Sequence, residues 1–355
     1  MDSKGHSVFA NHPDMPLMPA STTKLATAWL ALTHWGEQHR FRTQFYLDES
    51  TQTLWIKGSG DPYLVSEELD VVAKNLKQKG VNRIKAVGID SSLFQPDLIL
   101  PGTGTTNNPY DAVPTAVAAN FNTVAIKKIG GQIVSLEPHT PLTAYAKSLV
   151  NTSNGELRIN TGPNPHNAEL YFGELLHTFL QKHGVSTDSE LIFGRVPDHL
   201  SVFYTHVNNK TLGEILRNML KYSTNFVANQ LILMLSAETF KRPANADDVK
   251  HYMVDTLSSH FGWLNFSLED GAGLSRNNRL SPHQLTELLQ ALRSWKHLLP
   301  EIEPGIYAKS GTLTGVSALA GFIVKNNEWQ PFAVVMNETV PHHLRNRIAR
   351  ELSSR

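Results

Sequence analysis

Ser21 and Lys24 form a Ser-x-x-Lys motif at the start of a stretch with strong helical character. A serine hydroxyl becomes a good nucleophile near neutral pH only when a base lies within hydrogen-bonding distance. Residues three apart on an α-helix share a face, so this spacing places the lysine amine beside the hydroxyl. If burial lowers the pKa of the lysine, its amine can take the proton. A helix cap followed by a surface lysine is the alternative, because such a motif arises about once or twice by chance in a chain of this length.

Two further motifs follow in a fixed order. Ser223 and Asn225 form a Ser-x-Asn motif directly before a helical pattern, and Lys309-Ser310-Gly311 precedes a strand-like run at 316–324. Ser-x-x-Lys, Ser-x-Asn and Lys-Ser/Thr-Gly in this order are typical of class A β-lactamases and penicillin-binding proteins. Ser275-Arg276-Asn277, in a glycine-rich turn, also fits Ser-x-Asn. Spacing alone leaves this second candidate open.

Composition limits the class of protein. The chain has 355 residues, of which 41% are hydrophobic, and a formal net charge of zero. This length is long for one domain and comfortable for two. There is no basic block of the nucleic-acid type and no run of about 18 apolar residues, so neither nucleic acid binding nor a transmembrane segment is predicted. The chain has no cysteine and no His-Glu-x-x-His motif, and we predict neither a cofactor nor a metal site.

Local patterns predict several elements. A helix is expected at 21–36, where apolar residues recur and Gly36 provides a stop. Gly130-Gly131 between two strand-like runs predicts a hairpin. Thr211 followed by Glu214 predicts a capping box at the start of another helix. A last helix is predicted at 345–352.

The spacing of the motifs predicts an insertion. Ser21 and Ser223 are separated by about 200 residues, which is enough for a domain of its own, although the motifs must meet in one cleft. We therefore predict a discontinuous catalytic domain at 1–36 plus 201–355, with an inserted domain at 37–200.

The chain resembles the class C low-molecular-mass penicillin-binding proteins, the D-alanyl-D-alanine carboxypeptidase/endopeptidase family S13. The resemblance covers nearly the whole chain and implies an α+β fold. In that fold a serine β-lactamase/transpeptidase-like domain, an antiparallel sheet flanked by helices, carries an inserted mixed α/β domain. The family also places a strand near His6, and it keeps the Asp-Gly-x-Gly-Leu-Ser-Arg stretch separate from Ser-x-Asn, which favours Ser223. The segments that carry the resemblance are Pro19-Ala20-Ser21-Thr22-Thr23-Lys24, Gly58-Ser59-Gly60-Asp61-Pro62, Pro109-Tyr110-Asp111-Ala112-Val113-Pro114, Ser223-Thr224-Asn225, Asp270-Gly271-Ala272-Gly273-Leu274-Ser275-Arg276 and Lys309-Ser310-Gly311-Thr312-Leu313.

The resemblance implies a hydrolase, a serine-type D-Ala-D-Ala carboxypeptidase and/or D,D-endopeptidase. It would act on peptidoglycan stem peptides through an acyl-enzyme on Ser21, and β-lactams would acylate the same serine. Lys24 would be the base, Ser223 would relay a proton to the leaving amine, and Asn225 would hold the acyl-side amide. The backbone N–H groups of Ser21 and Thr312 would form the oxyanion hole.

The resemblance also implies where the substrate binds. Lys309, with the hydroxyls of Ser310 and Thr312, would bind the terminal carboxylate of the peptide or of penicillin. An aromatic residue and an arginine would line the pocket for the third residue of the peptide, where the arginine pairs with the free carboxylate of diaminopimelate. The substrate-binding residues predicted in this way are Ser310, Gly311, Thr312, Thr314, Tyr110 and Arg276.

The N-terminal residues 1–5 contain no apolar signal region, which taken literally predicts the cytoplasm. The implied substrate lies outside the cytoplasmic membrane, so we expect the periplasm or the cell envelope. Two alternatives stay open: a non-catalytic peptidoglycan-binding scaffold with the same fold, and a β-lactamase or esterase-like serine hydrolase. The intact motifs argue against the scaffold. A β-lactamase is disfavoured because no glutamate resembles the deacylating one of class A enzymes at a recognisable position.

Overall fold

A computed structural model describes residues 8–149, 155–341 and 343–354 of the protein. A 3₁₀ helix at Ala20–Thr23 leads into the first α-helix. The α-helices are α1 (Lys24–Trp35), α2 (Ser66–Gln78), α3 (Ala144–Ser148), α4 (Pro165–Lys182), α5 (Leu212–Tyr222), α6 (Asn225–Phe240), α7 (Ala246–Phe261), α8 (Pro282–Ala291) and α9 (Leu344–Ser354). The strands are β1 (Arg42–Asp48), β2 (Thr53–Lys57), β3 (Arg83–Asp90), β4 (Thr123–Ile129), β5 (Gln132–Ser135), β6 (Gly155–Asn160), β7 (Ser186–Phe193), β8 (Val202–Val207), β9 (Glu301–Glu303), β10 (Ile306–Leu313), β11 (Val316–Lys325) and β12 (Glu328–Met336).

The sheet closest to the C-terminus carries the Lys-Ser-Gly motif on β10. Its strands lie in the order β12-β11-β10-β9, and every neighbouring pair is antiparallel. Helix α8 packs against β11 and β12, and the 3₁₀ helix packs against β10 and β11. On α9, Ala349 and Leu352 pack in an apolar cluster with Ile306, Ala308 and Leu319. Helices therefore flank an antiparallel sheet, as the family resemblance implied.

Helices α1 and α6 are buried in the largest apolar core, and their N-terminal ends carry two of the three motifs. Residues 226–237 of α6 are all buried, and residues 24–32 of α1 are buried as well. A helix that is apolar on all sides belongs in the interior of a protein. Because the core holds both helices tightly, the polar residues at their first turns have fixed positions.

A second sheet has the order β7-β3-β2-β1-β8 and is mixed: β2, β3 and β7 are parallel neighbours, whereas β1 is antiparallel to β2 and β8. Helices α2 and α4 pack against each other beside it. A third sheet has the order β5-β4-β6. Side chains from 45–204, among them Phe45, Leu69 and Tyr171, form an apolar core distinct from the one around α1 and α6.

The predicted fold class is confirmed, as are the capping box at Thr211 and the hairpin at Gly130-Gly131. The helix predicted at 21–36 differs at its start, where a 3₁₀ turn precedes α1 because both the N–H and the hydroxyl of Thr22 donate to the carbonyl of Pro19. The strand expected near His6 lies outside the described residues. None of the described helices is both long enough and apolar enough to cross a membrane.

Candidate active site

Ser21 and Lys24 lie side by side at the start of α1. Lys24 Nζ is 3.1 Å from Ser21 Oγ. The turn that contains Ser21 is a 3₁₀ helix, in which residues three apart eclipse one another, so the lysine lies directly over the serine. Ala20, just before the serine, has a positive φ of 48°. A non-glycine residue in this region is uncommon, and such strain is concentrated at functional sites.

Lys24 is completely buried, and its other contacts are neutral. Its Nζ donates to Asn225 Oδ1 and to the carbonyl oxygen of Ala272, each at 2.8 Å. Burial lowers the pKa of Lys24 well below its ordinary value, and the positive charge of Lys309 lowers it further, against a smaller opposing effect of Asp270. The site therefore favours a neutral amine next to a serine hydroxyl.

The turn that supplies the Ala272 carbonyl is folded around a buried carboxylate. Asp270 accepts hydrogen bonds from the backbone N–H groups of Ala272, Leu274 and Ser275 at 3.0 Å each. Asn229, four residues after Asn225 and thus on the same face of α6, accepts a second bond from the N–H of Ala272 at 3.0 Å. These bonds fix the turn against the lysine.

Two glycines allow the backbone to approach the nucleophile. A Cβ atom on Gly311 of β10 would lie 2.7 Å from the carbonyl oxygen of Pro19 and 3.0 Å from the nitrogen of Ser21. A Cβ atom on Gly273, which has a φ of 83°, would lie 1.9 Å from the carbonyl oxygen of Ala20. Any larger residue would push β10 or the 270–275 turn away from Ser21.

The Ser-x-Asn motif spans the junction of α5 and α6. Ser223 ends α5 in the left-handed conformation with a φ of 57°, and Asn225 begins α6. Asn225 accepts from Lys24 and donates through Nδ2 to the carbonyl oxygen of Tyr110 at 3.0 Å. In the competing motif, Ser275 and Asn277 both donate to Glu269, so their side chains bind elsewhere.

The Lys-Ser-Gly strand carries the third motif. Lys309 is buried and donates to the carbonyl oxygen of Ser310 at 2.7 Å. Burial, followed by the positive charge of Arg345, lowers the pKa of Lys309 to about 8. Arg345 of α9 donates to Thr312 Oγ1 at 2.8 Å. Lys309 and Thr312 lie on opposite faces of β10, because side chains alternate along a strand.

The residues predicted to contact the rest of the substrate are more exposed. Tyr110 has 56% of its surface exposed, and its hydroxyl accepts from Asn108 Nδ2 at 2.7 Å. Arg276 is exposed and donates through Nη2 to the carbonyl oxygen of Thr314 at 3.0 Å. The structure therefore joins Arg276 and Thr314, and it links Tyr110 to Asn225 through the backbone.

The sequence analysis missed two side chains at this site. Asn229 could have been found from its spacing of four residues from Asn225, whereas Arg345 had no signal beyond its position in the last helix. Among the described residues, no group of three or more His, Cys, Asp or Glu side chains is arranged to hold a metal ion.

Fold and site together define a class of protein: an antiparallel sheet flanked by helices, with a serine, a buried lysine, an asparagine and a Lys-Ser-Gly strand around one cleft. The chain belongs to the D-Ala-D-Ala carboxypeptidase 3 (S13) family, whose sequence model matches residues 3–161 and 162–300.

Two curated relatives and one solved structure are similar along most of their length. The D-alanyl-D-alanine carboxypeptidase of Actinomadura sp. (strain R39) is 25% identical over 94% of this chain and 76% of the relative. The D-alanyl-D-alanine carboxypeptidase DacB of Haemophilus influenzae is 23% identical over 86% of this chain and 77% of the relative. The crystal structure of penicillin binding protein 4 (dacB) from Haemophilus influenzae superposes with a TM-score of 0.78 at 19% identity, covering 98% of this chain and 93% of that one. This likeness confirms the fold.

Proposed function

We propose that this protein is a serine D-Ala-D-Ala carboxypeptidase and/or D,D-endopeptidase. It acts on peptidoglycan stem peptides through an acyl-enzyme on Ser21, and β-lactams acylate the same serine. The observation that carries the proposal is the 3.1 Å separation of Lys24 Nζ and Ser21 Oγ inside a buried site. Family membership supports hydrolysis by a peptidase. The names of the two relatives indicate that the bond cleaved is the one between two D-alanines.

The contacts of Lys24 suit a general base. A neutral amine has two N–H donors and one lone pair. The two donors are satisfied by Asn225 Oδ1 and the Ala272 carbonyl oxygen, both uncharged acceptors at 2.8 Å. The lone pair is then available to the Ser21 hydroxyl, which donates to it. Ser21 Oγ loses its proton to Lys24 as it attacks the carbonyl carbon of the D-Ala-D-Ala bond.

Acyl transfer then proceeds in two halves. The N–H groups of Ser21 and Thr312 stabilise the oxyanion, and Ser223 relays the proton from Lys24 to the nitrogen of the leaving D-alanine as the C–N bond breaks. Water attacks the acyl-enzyme with Lys24 again as the base, and the Ser21 hydroxyl is restored. Asn225 holds the acyl-side amide during both steps.

Substrate recognition follows from the strand and from the rim of the cleft. The hydroxyls of Ser310 and Thr312, which lie on one face of β10, bind the terminal carboxylate, and the positive charge of Lys309 attracts it from the opposite face. Gly311 and Thr314 contribute backbone to the same binding edge. At the rim, Tyr110 and Arg276 line the pocket for the third residue of the stem peptide. A planar guanidinium suits the free carboxylate of diaminopimelate through two parallel hydrogen bonds.

We also propose the domain division and the location. Residues 1–36 plus 201–355 form the catalytic domain, and 37–200 form the inserted domain. The separate apolar core drawn from 45–204 supports an inserted domain. That core and its sheet also include residues past 200, because β8 pairs with β1, and Phe94, Leu98 and Ala112 of the inserted part pack into the core around α1. The protein works in the periplasm or the cell envelope, because its proposed substrate is peptidoglycan.

Covalent labelling tests the proposal. After treatment with benzylpenicillin, mass spectrometry should find one adduct on the peptide that contains Ser21, and Ser21→Ala should abolish it. Ser223→Ala is the matched variant. It keeps the nucleophile, so labelling should be slower but the adduct should still be on Ser21. Labelling that persists in Ser21→Ala would refute the assignment. A wild-type protein that takes no label and releases no D-alanine from acyl-D-Ala-D-Ala would support the non-catalytic scaffold instead.

A further inference from the structure

Arg345 of α9 reaches the Lys-Ser-Gly strand from the face opposite Lys309. Its Nη1 donates to the carbonyl oxygen of Gly311 at 2.6 Å and to Thr312 Oγ1 at 2.8 Å. Gly311 is the residue whose Cβ would lie 3.0 Å from the nitrogen of Ser21. The guanidinium is therefore attached to the stretch of β10 that runs beside the nucleophile.

Lys309 and Arg345 are two cations on opposite faces of β10 that lie close enough for the charge of Arg345 to act on Lys309. Among the described residues, neither Lys309 nor Arg345 has an acidic partner within 4.0 Å, whereas Arg347 pairs with Glu351 at 3.8 Å on the same helix. The Nε of Arg345 is buried and has no hydrogen-bond partner among the residues that the structure describes. A buried N–H of a charged group without an acceptor is costly, so the protein satisfies this guanidinium only in part. Arg345 is half-buried, and its accessible side can serve a bound anion.

We propose that Arg345 is a substrate-recognition residue that binds, together with the Thr312 hydroxyl, the terminal carboxylate of the stem peptide. This inference rests on the proposed function and adds a second cation to its carboxylate pocket. Thr312 is exposed, so a carboxylate that accepts from its hydroxyl also lies within reach of the guanidinium bonded to that hydroxyl. A guanidinium binds a carboxylate through planar, charge-assisted hydrogen bonds, which an ammonium cannot reproduce.

A second reading gives Arg345 only the task of bracing β10 against α9. Its bond to the Gly311 carbonyl oxygen fits that task, but a brace does not distinguish substrates by their terminal group. A carboxylate ligand and its carboxamide have nearly the same shape and differ in charge at the one position that matters here. Comparison of the two therefore separates recognition from bracing.

The test measures binding without catalysis. In a Ser21→Ala background, isothermal titration calorimetry compares acyl-D-Ala-D-Ala with the same peptide ending in a carboxamide. We expect the acid to bind more tightly than the amide, and Arg345→Gln to reduce that preference about 10- to 100-fold, the effect of losing one charge-assisted interaction. Arg345→Lys should keep part of the preference. Arg347→Gln, on the same helix, should keep all of it.

Circular dichroism of each variant shows whether it folds, and if Arg345→Gln does not fold, Arg345→Lys carries the comparison. An acid preference that is unchanged in the Arg345 variants overturns the proposal, as does equal binding of acid and amide to the parent protein. Failure of the proposed function would appear separately, as an absence of acylation at Ser21 in the wild type. The two failures are thus distinguishable.

Discussion

The cleft has two regions of opposite character. The inner cluster consists of Ser21, Lys24, Asn225 and the Ala272 carbonyl. Its lysine is completely buried, and its contacts are 2.8 to 3.1 Å long. The outer rim consists of Tyr110, Arg276 and Thr314, which are all exposed. A general base needs a dry site that lowers its pKa, whereas a recognition residue must stay open to a substrate. In the proposed function, the chemistry therefore lies where packing is tight, and recognition of the third residue of the peptide lies where packing is loose.

Removal of the base from the inner cluster should have the largest effect. Lys24→Met keeps a side chain of similar length but cannot accept a proton from Ser21. We expect the rate of acylation by benzylpenicillin to fall by about 10³-fold, within the range of general-base catalysis, because base and nucleophile act as a unit. Stopped-flow labelling or mass spectrometry over time measures this rate.

Thr27→Val is the control for the inner cluster. Thr27 lies one turn further along α1, and its hydroxyl donates to the Gly271 carbonyl oxygen at 2.7 Å. The variant disturbs the same turn that holds Lys24, but it leaves the base in place. It should lower the free energy of unfolding by about 1–3 kcal/mol and slow acylation by less than about tenfold. Equal losses of rate in both variants would show that Lys24 only positions the turn.

The pH dependence should separate the chemistry of the inner cluster from carboxylate binding on β10. The lowered pKa of Lys24 makes its neutral form available at lower pH than in an ordinary lysine, so acylation rises with pH through that pKa. Lys309, with a pKa of about 8, loses its charge above that value. For a peptide with a terminal carboxylate, kcat/KM should therefore fall above pH 8, by up to about tenfold per pH unit.

The carboxamide peptide provides the comparison, since it does not need the positive charge of Lys309. Its kcat/KM should not show the fall near pH 8, although it should show the same rise at lower pH. A falling limb of equal depth for both peptides would contradict the assigned role of Lys309. The profiles are measured by release of D-alanine or of D-alanine amide.

Only the part of the inner cluster that depends on local helix geometry could be predicted from the sequence. Ser21 and Lys24 are neighbours because three residues make one turn of the helix, and this follows from spacing alone. The choice between Ser223-Thr224-Asn225 and Ser275-Arg276-Asn277 did not follow from spacing. In the structure, Asn225 meets Lys24, whereas Asn277 binds Glu269.

Other parts of the site have no signature in a single sequence. The Ala272 carbonyl is a backbone group, so no residue type in the sequence indicates it. Its position depends on the hydrogen bonds that Asp270 and Asn229 accept from the turn. Arg345 meets β10 only because α9 packs back onto the sheet. The outer rim is equally hard to predict, because packing does not fix the conformation of an exposed side chain.

The smallest predicted effect concerns the outer rim and decides what Arg276 does. If its guanidinium pairs with the free carboxylate of diaminopimelate, Arg276→Ala should lower kcat/KM for diaminopimelate-containing peptides by about tenfold and leave simple acyl-D-Ala-D-Ala nearly unchanged. Its bond to the Thr314 carbonyl oxygen allows a purely bracing role instead. Arg279→Ala is the matched control, because Arg279 lies in the same loop and donates to the carbonyl oxygens of Arg276 and Asn278. Loss of the Arg279 hydrogen bonds should lower kcat/KM for both peptides alike. If Arg276→Ala also lowers kcat/KM equally for both peptides, Arg276 has the same structural role.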